Sequence, residues 1–220
     1  MPLVQKMARM MAVTIACAVL AVPAAWAAGD DPVKIVALGD SLTAGSGLFP
    51  QAAFPARLEA ALKAKGLAVA ITNAGVGGDT AAGGLARLDW SVPEGTEAVI
   101  LELGANDALR GIAPETTRAA LDQILRRLVD RRIVVLLSGM RAPPNLGADY
   151  TGAFDAIFPV LAATHDVIFD PFFLEGVAGD RSLNQPDGMH PTAEGVEAIV
   201  RRILPKAEEL IARAKANRNR

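Results

Sequence analysis

The 220-residue chain carries 22 Lys and Arg against 24 Asp and Glu, a formal net charge of −2. That balance gives no electrostatic reason to bind nucleic acid, which rewards a basic surface. One cysteine excludes an intramolecular disulfide, and two histidines leave any histidine-dependent reaction two candidates.

At the N-terminus, Lys6 and Arg9 precede an apolar run from Met10 to Val22 that is broken by Thr14. Ala25-Trp26-Ala27 then sets small residues where a signal peptidase reads. The expectation is a secretory leader over residues 1–27, cut near Ala27, and a single domain over residues 28–220. The product is then periplasmic or secreted. A membrane anchor is the alternative, but the run is shorter than the about 20 apolar residues that span a bilayer, so no stable span is expected in the mature form. A lipoprotein leader ending at Cys17 is a weaker one, because its apolar stretch is short and Thr14 is a poor start to a lipobox. Loss of the leader removes Cys17, Lys6 and Arg9, which takes the net charge to −4 and leaves no thiol nucleophile.

Beyond the leader, strand and helix signals alternate. Lys34–Leu38 is an apolar run ending at Gly39. Residues 53–65 read as a helix stopped by Gly66. Ala68–Thr72 is a second strand, and Asp79 or Thr80 caps a short helix running to Trp90. Glu97–Leu103 is a third strand. Pro114 opens a long amphipathic helix to about Asp130, with Leu121, Ile124, Leu125 and Leu128 as a core stripe. Arg132–Leu137 is a fourth strand, residues 151–164 a helix, Val167–Phe169 a fifth strand, and residues 192–215 a terminal helix kinked or broken at Pro205. Arg126, Arg127, Arg131 and Arg132 read as a solvated helix face and end. Apolar strands separated by helices need crossovers, so the sheet is parallel and buried on both faces. The expected fold is a three-layer α/β/α sandwich with about five strands, of the flavodoxin-like kind. Ligand sites in such sheets lie beyond the carboxyl ends of the strands.

Four patches fall on that rim. In Asp187-Gly188-Met189-His190-Pro191, Asp187 can fold back onto one imidazole nitrogen and fix the tautomer, freeing the other nitrogen to take a proton. Pro191 holds His190 toward extended backbone. Ser41, in Gly39-Asp40-Ser41-Leu42-Thr43-Ala44-Gly45, sits at a strand-to-loop corner; taken alone it reads better as a helix cap than as a nucleophile. Gly78, in Asn73-Ala74-Gly75-Val76-Gly77-Gly78-Asp79-Thr80, offers a backbone N–H at a helix start, and Asn106, in Gly104-Ala105-Asn106-Asp107, a side-chain amide; each is also ordinary turn chemistry. His165 reads as a histidine near a helix C-terminus. Asp187 and His190 as metal ligands lack a second histidine at ligand spacing, so no metal is expected. The loop at Gly39–Gly47 lacks the ending of a phosphate-binding loop.

Together the four blocks resemble the SGNH (GDSL) hydrolases, over about Lys34 to Ile203, and are most similar to the bacterial exported acyl-thioesterases, lysophospholipases and arylesterases. The resemblance implies a serine esterase without a cofactor, with Ser41 as nucleophile and His190 and Asp187 completing a triad. The Ser41 and Gly78 N–H groups and the Asn106 amide become the oxyanion donors. Ala105 departs from the family's usual second glycine. The family's acyl channel implies a substrate wall in the loops after the third and fourth strands, with Leu109, Arg110 and Ile112 in one and Met140, Arg141, Ala142, Pro143 and Pro144 in the other. The implied substrate is a small acyl ester or thioester. The alternatives are a carbohydrate O-deacetylase on the same scaffold and a non-catalytic binding protein. No nucleic-acid partner is expected; the sequence leaves the oligomeric state open, with a monomer favoured.

Overall fold

A computed structural model describes residues 31–218, so the expected leader over residues 1–27 lies outside the described residues. The elements run β1 (Val33–Gly39), α1 (Ser41–Ala44), α2 (Phe54–Ala64), β2 (Val69–Gly75), α3 (Ala81–Ala86), α4 (Leu88–Ser91), β3 (Ala98–Glu102), α5 (Ala105–Leu109), α6 (Pro114–Asp130), β4 (Val134–Ser138), α7 (Ala148–Asp155), α8 (Ile157–His165), β5 (Ile168–Asp170) and α9 (Ala193–Arg218). All five strands are parallel, in the order β2-β1-β3-β4-β5. This is the expected doubly wound sandwich. The order reverses between β1 and β3, and a crevice opens at such a switch point.

The layers follow from which faces are apolar. α2 and α9 pack on each other and on the sheet from one side; α3, α6 and α8 pack together on the other. β3 is buried along its whole length, and β1 everywhere but Lys34. Between them Ile35, Leu38, Ile100 and Leu101 are at most 1% exposed. Fully burying a side chain of this size stabilises by about 1.5–3 kcal/mol, so the two central strands anchor the domain. The α6 stripe foreseen in the sequence is fully buried, and Pro114 begins that helix.

Several boundaries differ from the sequence reading, each for a physical reason. β2 extends to Gly75 because it pairs with β1 as far as Gly39↔Gly75. It is an edge strand with mostly exposed or half-exposed side chains, so hydrophobic patterning is silent there. β4 starts at Val134 because Arg132 has φ 59°, which a strand does not admit. The helix expected over residues 151–164 is two, split at Ala156. Pro159 has no N–H for the carbonyl four residues back, at Asp155, where α7 stops. α9 runs without interruption through Pro205, whose ring lies at an exposed position of the helix. Among the described residues no helix is long and apolar enough to cross a membrane.

Candidate active site

The first corner follows β1. Gly39 and Gly75 end paired strands so closely that a Cβ on Gly75 would lie 2.2 Å from the Ala44 nitrogen, and one on Gly39 2.7 Å from the Glu102 carbonyl oxygen. Only glycine lets the two strands and the turn after β1 converge here. Asp40 then caps α1, its Oδ1 accepting the Leu42 N–H at 2.9 Å, and Ser41 is the first residue of that helix. The cap at this corner is therefore Asp40, and Ser41 is left to face the cavity.

The second and third corners face it. Gly78 has φ 79°, a conformation that suits glycine, and its carbonyl accepts from Arg110 Nη2 at 2.7 Å. Asn106 lies in α5, directly beyond β3. Its Nδ2 donates to Asp40 Oδ2 and to the Asp79 carbonyl, both at 2.9 Å. Both amide hydrogens are thus engaged, by partners 66 and 27 positions away in the chain.

The fourth corner is the loop before α9. Asp187 Oδ1 accepts the backbone N–H groups of Met189 and His190 at 2.9 and 3.0 Å, and its Oδ2 lies 2.6 Å from His190 Nδ1. These bonds, the backbone N–H of His190 first, hold the Asp187 carboxyl down at about 2. The opposite imidazole nitrogen, Nε2, lies 2.9 Å from Ser41 Oγ. An ionised Asp187 accepts a hydrogen bond from Nδ1–H, which leaves Nε2 as acceptor for the serine hydroxyl.

The loop is tied to the first corner by Gln185, whose Nε2 donates to the carbonyls of Ser46 and Pro191 at 2.8 and 2.9 Å. A bridge between Asn184 and Pro191 closes its base. Arg87 does similar work beneath the second corner, donating to the carbonyls of Gly39 and Ala74 and pairing with Asp79 at 2.7 Å. The sequence reading missed both: a glutamine in a loop and an arginine at the turn between two short helices carry no motif. It also passed over Asp40 and Glu102, although an acid ending an apolar buried strand is a readable anomaly.

Ser41, Gly78, Asn106 and His190 line one cavity of about 690 Å³. Its remaining walls come from the segments after β3, β4 and β5, with Leu109, Met140, Pro143, Phe172 and Leu174 among them. Of the expected wall residues, Leu109, Met140, Arg141, Ala142, Pro143 and Pro144 line it. Ile112 does not: it is half-buried, and its backbone carbonyl accepts from the Tyr150 hydroxyl of α7 at 2.7 Å. Arg110 is likewise spent on Gly78. Arg141 lies over the Phe172 ring, 4.9 Å from its centroid, and pairs with Glu175 at 3.5 Å, joining two walls. Asp187 stands behind His190 and is not a lining residue. His165 is elsewhere, at the end of α8 with Nε2 2.7 Å from Asp122 Oδ1.

Comparison with known proteins bears on the family and the fold. A model of the GDSL-like lipase/acylhydrolase family matches residues 37–198. The chain is 36% identical over 178 residues to Esterase TesA of Pseudomonas aeruginosa, covering 80% of this chain and 89% of that protein. It is 37% identical over 178 residues to Thioesterase 1/protease 1/lysophospholipase L1 of Escherichia coli strain K12, covering 80% and 84%. Among solved structures, AlinE4, an SGNH-hydrolase family esterase, superposes with a TM-score of 0.70 at 47% identity, covering 81% of this chain and 96% of that one.

Proposed function

The chain belongs to the GDSL-like lipase/acylhydrolase family and is an ester-hydrolysing enzyme, and from that premise we propose that it is an exported serine esterase acting on carboxylic esters and thioesters of apolar acyl groups. The observation that carries this reading is the unbroken line Ser41 Oγ, His190 Nε2, His190 Nδ1, Asp187 Oδ2, with spacings of 2.9 and 2.6 Å across the two hydrogen bonds, at the wall of an apolar cavity.

Ser41 Oγ attacks the acyl carbonyl carbon while His190 Nε2 takes its proton. The carbonyl oxygen becomes an oxyanion, held by the backbone N–H groups of Ser41 and Gly78 and by Asn106 Nδ2. The tetrahedral intermediate collapses as His190 returns the proton to the leaving oxygen or sulfur. Water, deprotonated by the same nitrogen, then releases the acid and restores Ser41. Asp187 stays ionised throughout and stabilises the imidazolium. Asn106 gives one hydrogen up to the reaction: the oxyanion, a charged acceptor, outcompetes the neutral Asp79 carbonyl.

Leu109, Met140, Pro143 and Phe172 favour an acyl chain over an acetylated sugar, whose hydroxyls would lose water without finding partners there. The leader pattern of residues 1–27 supports export, and the printed names of the relatives support the two bond types. A panel of aryl esters and acyl thioesters of increasing chain length, run beside acetylated sugars, tests the substrate class. Turnover that rises with chain length supports it. Activity confined to acetylated sugars would instead make the enzyme a carbohydrate O-deacetylase.

A further inference from the structure

Behind the nucleophile, two carboxyl groups lie buried side by side. The β1–β3 register sets Gly39 opposite Glu102, so Asp40 and Glu102 meet at the ends of neighbouring strands, both with no exposed surface. Among the described residues no Lys or Arg bonds to either. Arg87, the cation of this region, is committed to Asp79, Ser91 and the carbonyls of Gly39 and Ala74. The other ionisable groups facing Asp40 are Asp79, on the loop after β2, and His190, on the loop before α9.

The two carboxyls are unequally supported. Asp40 uses both oxygens, accepting from Leu42 N–H and Asn106 Nδ2, each at 2.9 Å. Glu102 Oε2 accepts from the Thr43 hydroxyl at 2.8 Å and from the Asp40 N–H at 3.5 Å, whereas Oε1 is buried without any partner. Two like charges on adjoining strand ends, shielded from water and without a cation, do not both persist; one carboxyl takes a proton. The group with an orphaned oxygen is the poorer site for a charge.

We propose that Glu102 is a positioning residue that works as a neutral carboxylic acid: it carries the proton of the pair, leaves the negative charge on Asp40, and so lets Asp40 fix the amide of Asn106 with its donor end toward the site. Burial, together with the Asp40 charge, pushes the Glu102 carboxyl well above the usual carboxylate range. Burial also raises Asp40, but the bonds from Leu42 and Asn106 hold it to about 6. Asp40 is therefore ionised above about 6 and the arrangement is lost as pH falls through that value. The inference rests on the reading of Asn106 as an oxyanion donor.

Two measurements test it. Glu102 is the single buried glutamate among the described residues. With carboxyl-labelled glutamate, infrared difference spectroscopy should show a protonated-carboxyl band at neutral pH; its absence overturns the proposal whatever the variants do. In kinetics, Asp40→Asn presents an amide nitrogen to the Asn106 nitrogen and should lower kcat by on the order of 10²–10³ with KM little changed. Glu102→Ala should lower kcat about tenfold or more, and Glu102→Gln, which copies the neutral acid, should restore most of it. A Glu102→Gln loss as large as that of Glu102→Ala would mean that a charge is needed there, and overturns the proposal. Loss of turnover in Asn106→Ala together with that result sinks this inference alone; unchanged turnover in Asn106→Ala sinks the oxyanion reading beneath it.

Discussion

His190 Nε2 stands 2.9 Å from Ser41 Oγ, although 149 positions separate the two residues in the chain. The contact exists because β1 ends at Gly39 and the loop before α9 folds back over the same corner, held there by Gln185. On the proposed roles, each partner of this contact fails without the other.

The two histidines should therefore respond in opposite ways. His190→Ala should lower kcat/KM by at least about 10³, because members of a triad act as a unit. His165→Ala removes a 2.7 Å bond to Asp122 far from the cavity and should cost stability instead, on the order of 1–2 kcal/mol, with turnover per folded molecule intact. Ester hydrolysis and thermal melts on both variants decide; the reverse pattern would remove His190 from the mechanism.

Asn106→Ala should lower kcat by on the order of 10²–10³, or about 3–4 kcal/mol, with a smaller change in KM, since its donor acts on charge that develops in the transition state. The substitution also frees the Asp79 carbonyl and Asp40 Oδ2, so some loss of melting temperature accompanies it. A lowered melting temperature with normal kcat would leave Asn106 a purely structural residue.

Asp187 governs an acid-side effect. Its folded carboxyl is held down at about 2 against an ordinary value of 3.8. A depressed carboxylate contributes stability that is present above about pH 4 and is lost as pH falls through about 2. Melting temperatures of wild type and Asp187→Ala should thus differ by a constant amount near neutrality and converge between about pH 4 and 2. The side chain is 40% exposed, so added salt should shrink the difference. A gap that widens in acid contradicts the assignment. Asp187→Asn, which keeps the shape, should cost on the order of 10⁴ in kcat by favouring the wrong imidazole tautomer.

The legible parts of this molecule are those where one physical demand dominates. Strands buried on both faces must be apolar, so β1 and β3 stand out, and Pro114 marks a helix start because its missing N–H is harmless there. The four blocks were readable for a different reason: the chemistry restricts both residue type and spacing, as in Asp187-x-x-His190. Edge strand β2 was read as ending three residues early, because its last residues pair with β1 through the backbone and carry exposed or half-exposed side chains, which hydrophobic patterning does not register. The break between α7 and α8 was written in Pro159 but masked by apolar residues on either side. Pro205 misled in the other sense, since an exposed turn of a long, well-packed helix tolerates it. Ile112 shows the limit for the cavity: loop sequence does not tell which of its residues reach the wall, and here Leu109 does and Ile112 does not. Asp40, Arg87 and Gln185 act through side-chain hydrogen bonds that join separate loops, which leave no periodic trace in the chain.

The central claim is that Ser41 is the nucleophile of an acyl-enzyme mechanism. A fluorophosphonate probe reports on it directly, since it reacts with a hydroxyl only when a neighbouring base has activated it. Folded wild-type protein should be labelled on the peptide bearing Ser41, with parallel loss of esterase activity. Ser41→Ala should take up no label and lose at least about 10³ of its turnover while melting as a folded protein. Labelling on another residue, or Ser41→Ala hydrolysing esters at near the wild-type rate, would contradict the account.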